Sequence, residues 1–335
     1  MSKSKEDKKK IGPEYLLSFA QTFYELLVIS SGIELNLYDF INQHKSISSK
    51  KLSTLSTYSE NLINSWCNTA TAIGHLKLEK TDYSLSRFAK NFLCKDSPSY
   101  LGFIFLNIEG LFFIYNTLKK RFEGQYPPII GSHAVNIVKS IAPLANFIAP
   151  ILRNEIPKLN EKCEFLDLGC GLGSYLVQLA KLNPHFQGTG VDGGWGLDVV
   201  NEARKHIKQN NMENQIKIIN ADILNFKTEQ KFDVIFMSGS IQAFKEKDAQ
   251  KILNKSYSWL KKPGTIIIQE FIINENRLEP QSNALFDFYL HLASPNAQLY
   301  SYKELYNLLE NAGFIDIKKY DIISGFSHII AKNKI

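Results

Sequence analysis

Asp167 and the three glycines that follow it, Gly169, Gly171 and Gly173, are the residues of this chain whose types and spacing could do chemistry. They lie in the nine-residue run Phe165 to Gly173, FLDLGCGLG. Glycines at alternate positions let a backbone bend tightly and approach a ligand with no Cβ in the way. The run Ser174 to Lys181 (SYLVQLAK) has helical spacing and would present free N–H groups at its start. Phe165, Leu166 and Leu168 suit a strand buried on both faces, so the glycines form a strand-to-helix turn, the place where a parallel sheet binds a nucleotide-like ligand. A dinucleotide fingerprint needs glycine at the first, third and sixth positions; here the fifth is glycine and the sixth is Ser174. Asp167 would repel a diphosphate and attract an ammonium.

S-adenosylmethionine carries such an ammonium on its amino-acid part. The pattern Asp-x-Gly-x-Gly-x-Gly resembles the first motif of the class I S-adenosylmethionine-dependent methyltransferases; a purely structural glycine turn is the plainer alternative. Asp192 ends the apolar stretch Gly188 to Val191, nineteen residues past Gly173. An acid at that distance, on the second strand's tip, accepts from both ribose hydroxyls; the plainer alternative is an exposed loop aspartate. Asp222 follows the strand-like Gln215 to Ile219. The resemblance implies that Asp222 accepts from the adenine amino group and that Ile223 packs on the ring, while helix capping is the plainer role for Asp222. Ser238, just past the strand-like Phe232 to Met237, completes the implied cofactor set of Asp167, Gly169, Gly171, Gly173, Asp192, Asp222, Ile223 and Ser238.

The elements that must position these groups alternate strand and helix, which gives a parallel sheet. After Phe232 to Met237 come a helix over Asp248 to Leu260 stopped by Pro263-Gly264, a strand over Thr265 to Glu270, helices over Asn283 to Leu292 and Tyr302 to Asn311, and an antiparallel pair, Phe314 to Tyr320 and Phe326 to Lys332. Upstream, helices are expected over Ile33 to Ile41, Lys50 to Leu55 and Ser59 to Leu76, the last with Leu62, Ile63, Trp66, Ala70 and Ile73 on one face. A hairpin follows, Leu76 to Glu79 and Tyr83 to Leu85 around Lys80-Thr81-Asp82, and then a helix over Arg87 to Leu93. Three helices and a two-stranded wing describe a winged helix. A DNA reader would carry Lys and Arg on the third helix; this one carries none, and Glu60 makes it slightly acidic. Dimerisation is the expected role, with the apolar helix Phe19 to Ile29 at the interface. The fold class is α/β: a Rossmann-like seven-stranded sheet behind a helical, winged-helix N-terminal domain. The expected divisions are a disordered basic tail over 1–11, the dimerisation domain over 12–125 and the catalytic domain over 126–335.

The whole pattern, residues 12 to 333, resembles the small-molecule O-methyltransferases that include caffeate and hydroxyindole enzymes. That family carries a His after the fourth strand that strips a proton from a phenol. Here the matching run is Ile241-Gln242-Ala243-Phe244, and Gln242 cannot act as a base. Glu270 matches the first of two acids that steady the His, and the second falls on Leu299. The loop Gly193-Gly194-Trp195-Gly196 inserts about two residues relative to the family. A related branch, the bacteriochlorophyllide C-methyltransferases, also lacks the His and carries a histidine where His291 stands. The resemblance therefore implies an S-adenosylmethionine-dependent methyltransferase acting on an aromatic or polycyclic small molecule by proximity-driven transfer to O, C or N. Gln242 would orient the acceptor and His291 would be an acid, base or acceptor ligand. The alternative is a cofactor-binding protein without turnover, in regulation or assembly.

Composition fits an ordinary cytoplasmic enzyme, and the resemblance implies a small-molecule acceptor. The chain of 335 residues is 44% hydrophobic. Residues 1 to 10 hold five lysines against Glu6 and Asp7, so half of the net +6 belongs to a solvated tail, and charge gives no argument for nucleic acid. The tail lacks the apolar core of a signal peptide. The four cysteines contain no Cys-x-x-Cys pair, against a metal site or a disulfide framework. Leu101 to Leu118 is strongly apolar but interrupted by Asn107, Glu109 and Asn116, so a buried helix is expected rather than a membrane span. Phe103, Phe105, Phe112, Phe113 and Tyr115 are its candidate pocket or core residues.

Overall fold

The computed structural model describes residues 12–323 and 325–334, so the expected tail over 1–11 lies outside the described residues. Two compact units meet at Leu106 and Asn107. In the first, α1 (Pro13–Glu34), α2 (Leu37–His44), α3 (Ser49–Ser56), α4 (Glu60–Ala72) and α5 (Arg87–Phe92) accompany a small sheet of β1 (Ile47–Ser48), β2 (Leu76–Glu79) and β3 (Asp82–Leu85), ordered β1-β3-β2. Ser48 and Ser86 cap α3 and α5 by accepting from the Lys51 and Ala89 amides.

Three expectations fail in this half. The helix expected over Ile33 to Ile41 is broken between α1 and α2, because Asn36 takes a left-handed conformation (φ 57°) that asparagine tolerates and a helix does not. Helix α4 ends at Ala72, before Gly74, and Leu62, placed by spacing on its inner face, is 71% exposed while Ile63, Trp66, Cys67 and Ala70 are buried. The run Leu101 to Leu118 is not one buried helix. It splits into a 3-10 turn (Gly102–Asn107), α6 (Ile108–Asn116) and the start of α7 (Leu118–Phe122), with Phe103 buried in the first unit and Tyr115 exposed in the second. Apolar content alone does not hold a helix together when its residues serve two separate cores.

Helix α1 leaves Leu16, Leu17, Phe19, Tyr24 and Leu27 exposed. Among the described residues it is the one single helix long and apolar enough to cross a membrane by length and composition.

The second unit contains α6, α7, α8 (Ser132–Ile141), α9 (Leu144–Glu155), β4 (Cys163–Leu168), α10 (Ser174–Leu182), β5 (Phe186–Asp192), α11 (Leu197–Gln209), β6 (Ile216–Asn220), β7 (Phe232–Ser238), α12 (Glu246–Trp259), β8 (Leu260–Phe271), α13 (Gln281–Ala293), α14 (Tyr302–Asn311), β9 (Ile315–Ile323) and β10 (Phe326–Lys332). The expected sequence boundary at 125/126 falls inside this unit, where buried Arg121 of α7 donates to the Leu292 carbonyl of α13 at 2.7 Å.

Its seven strands are ordered β6-β5-β4-β7-β8-β10-β9, the first five parallel and β10 antiparallel to both neighbours. Strand β4 is hydrophobic on both sides because both sides are covered. Leu166 and Leu168 join a core with Ile252 of α12 and Leu305 of α14; Phe165 joins another with Leu152 of α9 and Val177 of α10. The chain leaves β4 for β5 and β6 on one side and returns to β7 and β8 on the other. The glycine turn after β4 therefore sits at the point where the strand order reverses, which opens a crevice at the carboxyl ends of the strands.

Candidate functional site

Asp167 is the penultimate residue of β4, and both its carboxylate oxygens are buried without a hydrogen-bond partner among the described residues. Burial, and then the neighbouring Asp192, push its pKa well above the ordinary carboxylate range. An acid in that position lacks a cation.

The three glycines of the turn beside it all take conformations glycine favours: Gly169, Gly171 and Gly173 have φ of 86°, 51° and 69°. The Gly169 and Cys170 amides donate to the Val191 carbonyl at 2.8 and 3.2 Å, and the Gly171 amide donates to Asp192 Oδ2 at 2.9 Å, so the turn is tied to the tip of β5. A Cβ on Gly169 would stand 2.5 Å from Ser240 Cβ and 3.4 Å from Ile223 Cδ1. The loops after β7 and β6 thus close on the first glycine. Gly169→Ala is expected to lose about 2–4 kcal/mol of stability from a left-handed alanine plus overpacking, measured by chemical denaturation.

Asp192 is buried, which removes the exposed-loop alternative. Burial raises its pKa, opposed first by the Gly171 amide that donates to it and then by the nearby Gly193, Trp195 and Gly194 amides. Gly193 has no room for a side chain, since a Cβ there would lie 2.8 Å from the Ala221 carbonyl carbon. Asp222 is exposed and its Oδ1 accepts from the Asn225 amide at 3.0 Å, the capping geometry; Ile223 beside it is half-buried. Ser238 closes β7, and its hydroxyl oxygen accepts from Gln269 Nε2 at 2.7 Å.

Gln242 lies in the short 3-10 turn Ile241–Ala243. Its Nε2 donates to the Gly239 carbonyl at 3.2 Å, and its Oε1 is buried without a partner among the described residues. Glu270, near the end of β8, is buried, and burial pushes its pKa up to about 8. The Gln242, Ile241 and Ser240 amides approach it closely enough to oppose that shift, though none makes a well-formed hydrogen bond to either oxygen. His291 stands apart, exposed in the last turn of α13, with Nδ1 2.8 Å from the Asp287 carbonyl and 3.8 Å from its carboxylate.

The structure thus gathers Asp167, the glycines, Asp192, Ile223 and Ser240 around one turn. Ser240, with a buried unpartnered hydroxyl, and Tyr175, Gln269 and His328 were missed in the sequence. The available signal was polarity in the wrong place: Gln269 and His328 interrupt the apolar strand runs TIIIQEF and FSHIIAK. No described group of three His, Cys, Asp or Glu side chains is arranged to hold a metal.

A methyltransferase-domain family matches residues 159–313, the segment that carries β4, the glycine turn and the strands on both sides of it. Residues 159–313 are a methyltransferase domain. Among curated relatives, this chain is similar to phosphoethanolamine N-methyltransferase of Plasmodium falciparum (30% identical, covering 35% of this chain and 42% of that one). It is also similar to 3-hydroxy-5-methyl-1-naphthoate 3-O-methyltransferase of Streptomyces sahachiroi (26% identical, covering 46% and 43%). The chain spans less than half the length of these two relatives. Human N-acetylserotonin methyltransferase, solved with S-adenosylmethionine, superposes with a TM-score of 0.81 at 16% identity over 100% of this chain and 99% of that one. The fold is that of the class I S-adenosylmethionine-dependent methyltransferases with a helical N-terminal unit. The residues present fit that cofactor: the methyltransferase domain offers a buried carboxylate with two vacant acceptor atoms beside a glycine turn that a Cβ would fill.

Proposed function

We propose that this chain transfers a methyl group from S-adenosylmethionine to an aromatic or polycyclic small molecule, at O, C or N. The observation that carries the reading is the unpartnered Asp167 carboxylate beside three left-handed glycines. In this reading Asp167 takes the cofactor's ammonium, Gly169, Gly171 and Gly173 let the backbone close on its amino-acid end, and Asp192 takes the ribose hydroxyls. Asp222 takes the adenine amino group through the oxygen not engaged by Asn225, Ile223 covers the ring, and Ser238 lines the methionine end. When bound, the cofactor supplies an activated methyl on a positively charged leaving group, so alignment of the acceptor accounts for most of the rate.

Gln242 orients the acceptor through its free Oε1 and removes no proton. Gln242→Ala is expected to lower kcat about tenfold while the cofactor Kd stays within about twofold, read by steady-state kinetics and calorimetry. His291 is the second acceptor-side candidate, its exposed ring free to meet a bulky ring system. The exposed apolar side of α1 supports a homodimer, and the charge pattern supports a cytoplasmic protein with no nucleic-acid partner. Incubation of the purified protein with methyl-labelled S-adenosylmethionine and a cell extract tests the activity. Label in a small molecule is the expected result; cofactor binding with no transferred label would mean a role without turnover.

A further inference from the structure

Three polar side chains, two of them buried, stand side by side across the seven-stranded sheet. Ser238 of β7 is in register with Gln269 of β8, and Gln269 is in register with His328 of β10. Strand alternation puts them on the face that buries Phe236, Ile267 and Ile330. Gln269 and His328 are fully buried, where polar groups are tolerated only if hydrogen-bonded. Each is: Gln269 Nε2 donates to Tyr175 Oη at 2.6 Å and Ser238 Oγ at 2.7 Å, and its Oε1 lies 2.9 Å from His328 Nε2. His328 Nδ1 lies 2.5 Å from Glu155 Oε2, at the last residue of α9. The row runs from a carboxylate 21% exposed to the end of β7, next to the loop that presses on Gly169.

Donor accounting gives the row a direction. An amide nitrogen only donates and an amide oxygen only accepts. Ser238 and Tyr175 therefore each spend a lone pair on Gln269 and keep their own O–H for another partner. His328 must carry its proton on Nε2 to serve Gln269 Oε1. Burial lowers the His328 pKa, opposed by the Glu155 carboxylate beside Nδ1. Burial pushes the Tyr175 phenol up to about 12, so it stays a donor at neutral pH, and Asp167 is among the charges it feels.

We propose that Gln269 and His328 are positioning residues that hold Ser238 and Tyr175 as paired hydroxyl donors to the carboxylate of the cofactor's amino-acid end, complementing the Asp167 acceptor for its ammonium. This rests on the cofactor reading above. Nothing in the row touches the transferred methyl, and its effect is on cofactor affinity.

Calorimetric titration of S-adenosylhomocysteine into the full chain tests it, with thermal midpoints taken in parallel. Tyr175→Phe and Gln269→Leu should each weaken binding about tenfold, as expected for losing a hydrogen bond to a charged group, and the double variant should be no weaker than the worse single. Gln269→Glu, whose carboxylate accepts from both hydroxyls and reverses their direction, should weaken binding at least as much as Gln269→Leu. His328→Gln, which keeps a donor to Gln269, should bind better than His328→Leu at equal thermal stability. Binding by Gln269→Glu within about twofold of wild type, or losses that multiply in the double variant, would overturn the inference and leave the cofactor reading intact. If Gln269→Leu fails to fold, the Gln269→Glu comparison decides alone, being nearly isosteric. Absence of binding by the wild-type chain would overturn the cofactor reading itself, and this inference with it.

Discussion

Asp167→Asn is expected to raise the Kd for S-adenosylmethionine about a hundredfold or more, because it removes the carboxylate placed opposite the cofactor's ammonium in a buried place. The same change should not harm the free protein. Asp167 is an acid without a hydrogen-bond partner, and burial and Asp192 raise its folded pKa. A raised carboxyl contributes stability that is full below the unfolded carboxylate range and is lost as pH rises through the folded pKa. The cofactor-free wild type should therefore weaken from acid toward neutral pH, and Asp167→Asn should weaken less. Calorimetry and thermal melts from pH 4 to 8 read both effects. A variant that binds normally, or one that melts earlier than wild type at pH 8, contradicts this role for Asp167.

Glu270→Gln is expected to show a large pH-dependent change in stability. Its carboxyl is pushed from 4.5 up to about 8 by burial, against three backbone amides. Its contribution is full below about 4.5 and is lost as pH climbs to about 8, so the unliganded wild type becomes less stable over that window. Such a shift corresponds to about 5 kcal/mol above pH 8. Glu270→Gln should therefore match wild type near pH 4 and melt distinctly higher at pH 8.5, and parallel curves for the two proteins would contradict the assignment. At neutral pH the group is mostly protonated and can donate to an acceptor beside the 240–242 turn. The sequence resemblance makes Glu270 an anionic partner for a histidine; with Gln242 in that place, a neutral acid is the compatible form.

What was legible in the sequence is what local chemistry decides. The strand, turn and helix around Asp167 lie within about twenty residues, and their bounds agree with the structure to within two residues. Asp192 was placed correctly at a strand tip because strand length and apolar run coincide, yet its burial and its bond from the Gly171 amide are tertiary features that no local pattern gives. Asp222 shows the opposite case: the plain capping geometry is present, and any further role uses what capping leaves free. The row from Glu155 to Ser238 was invisible because its members come from β7, β8, β10 and α9, with His328 and Glu155 173 positions apart. Only the strand order brings them together. The inner face of α4 and the run 101–118 were misread for a related reason. Periodicity reports which residues could face a core, and Leu62 and Tyr115 show that it does not say whether a core is there.

The most direct test is a crystal of this chain grown with S-adenosylmethionine or its demethylated product. The cofactor's amino nitrogen should lie within about 3 Å of an Asp167 carboxylate oxygen, with the amino-acid end against Gly169 to Gly173. A cleft empty at saturating cofactor, or a cofactor whose ammonium sits elsewhere, would contradict the account.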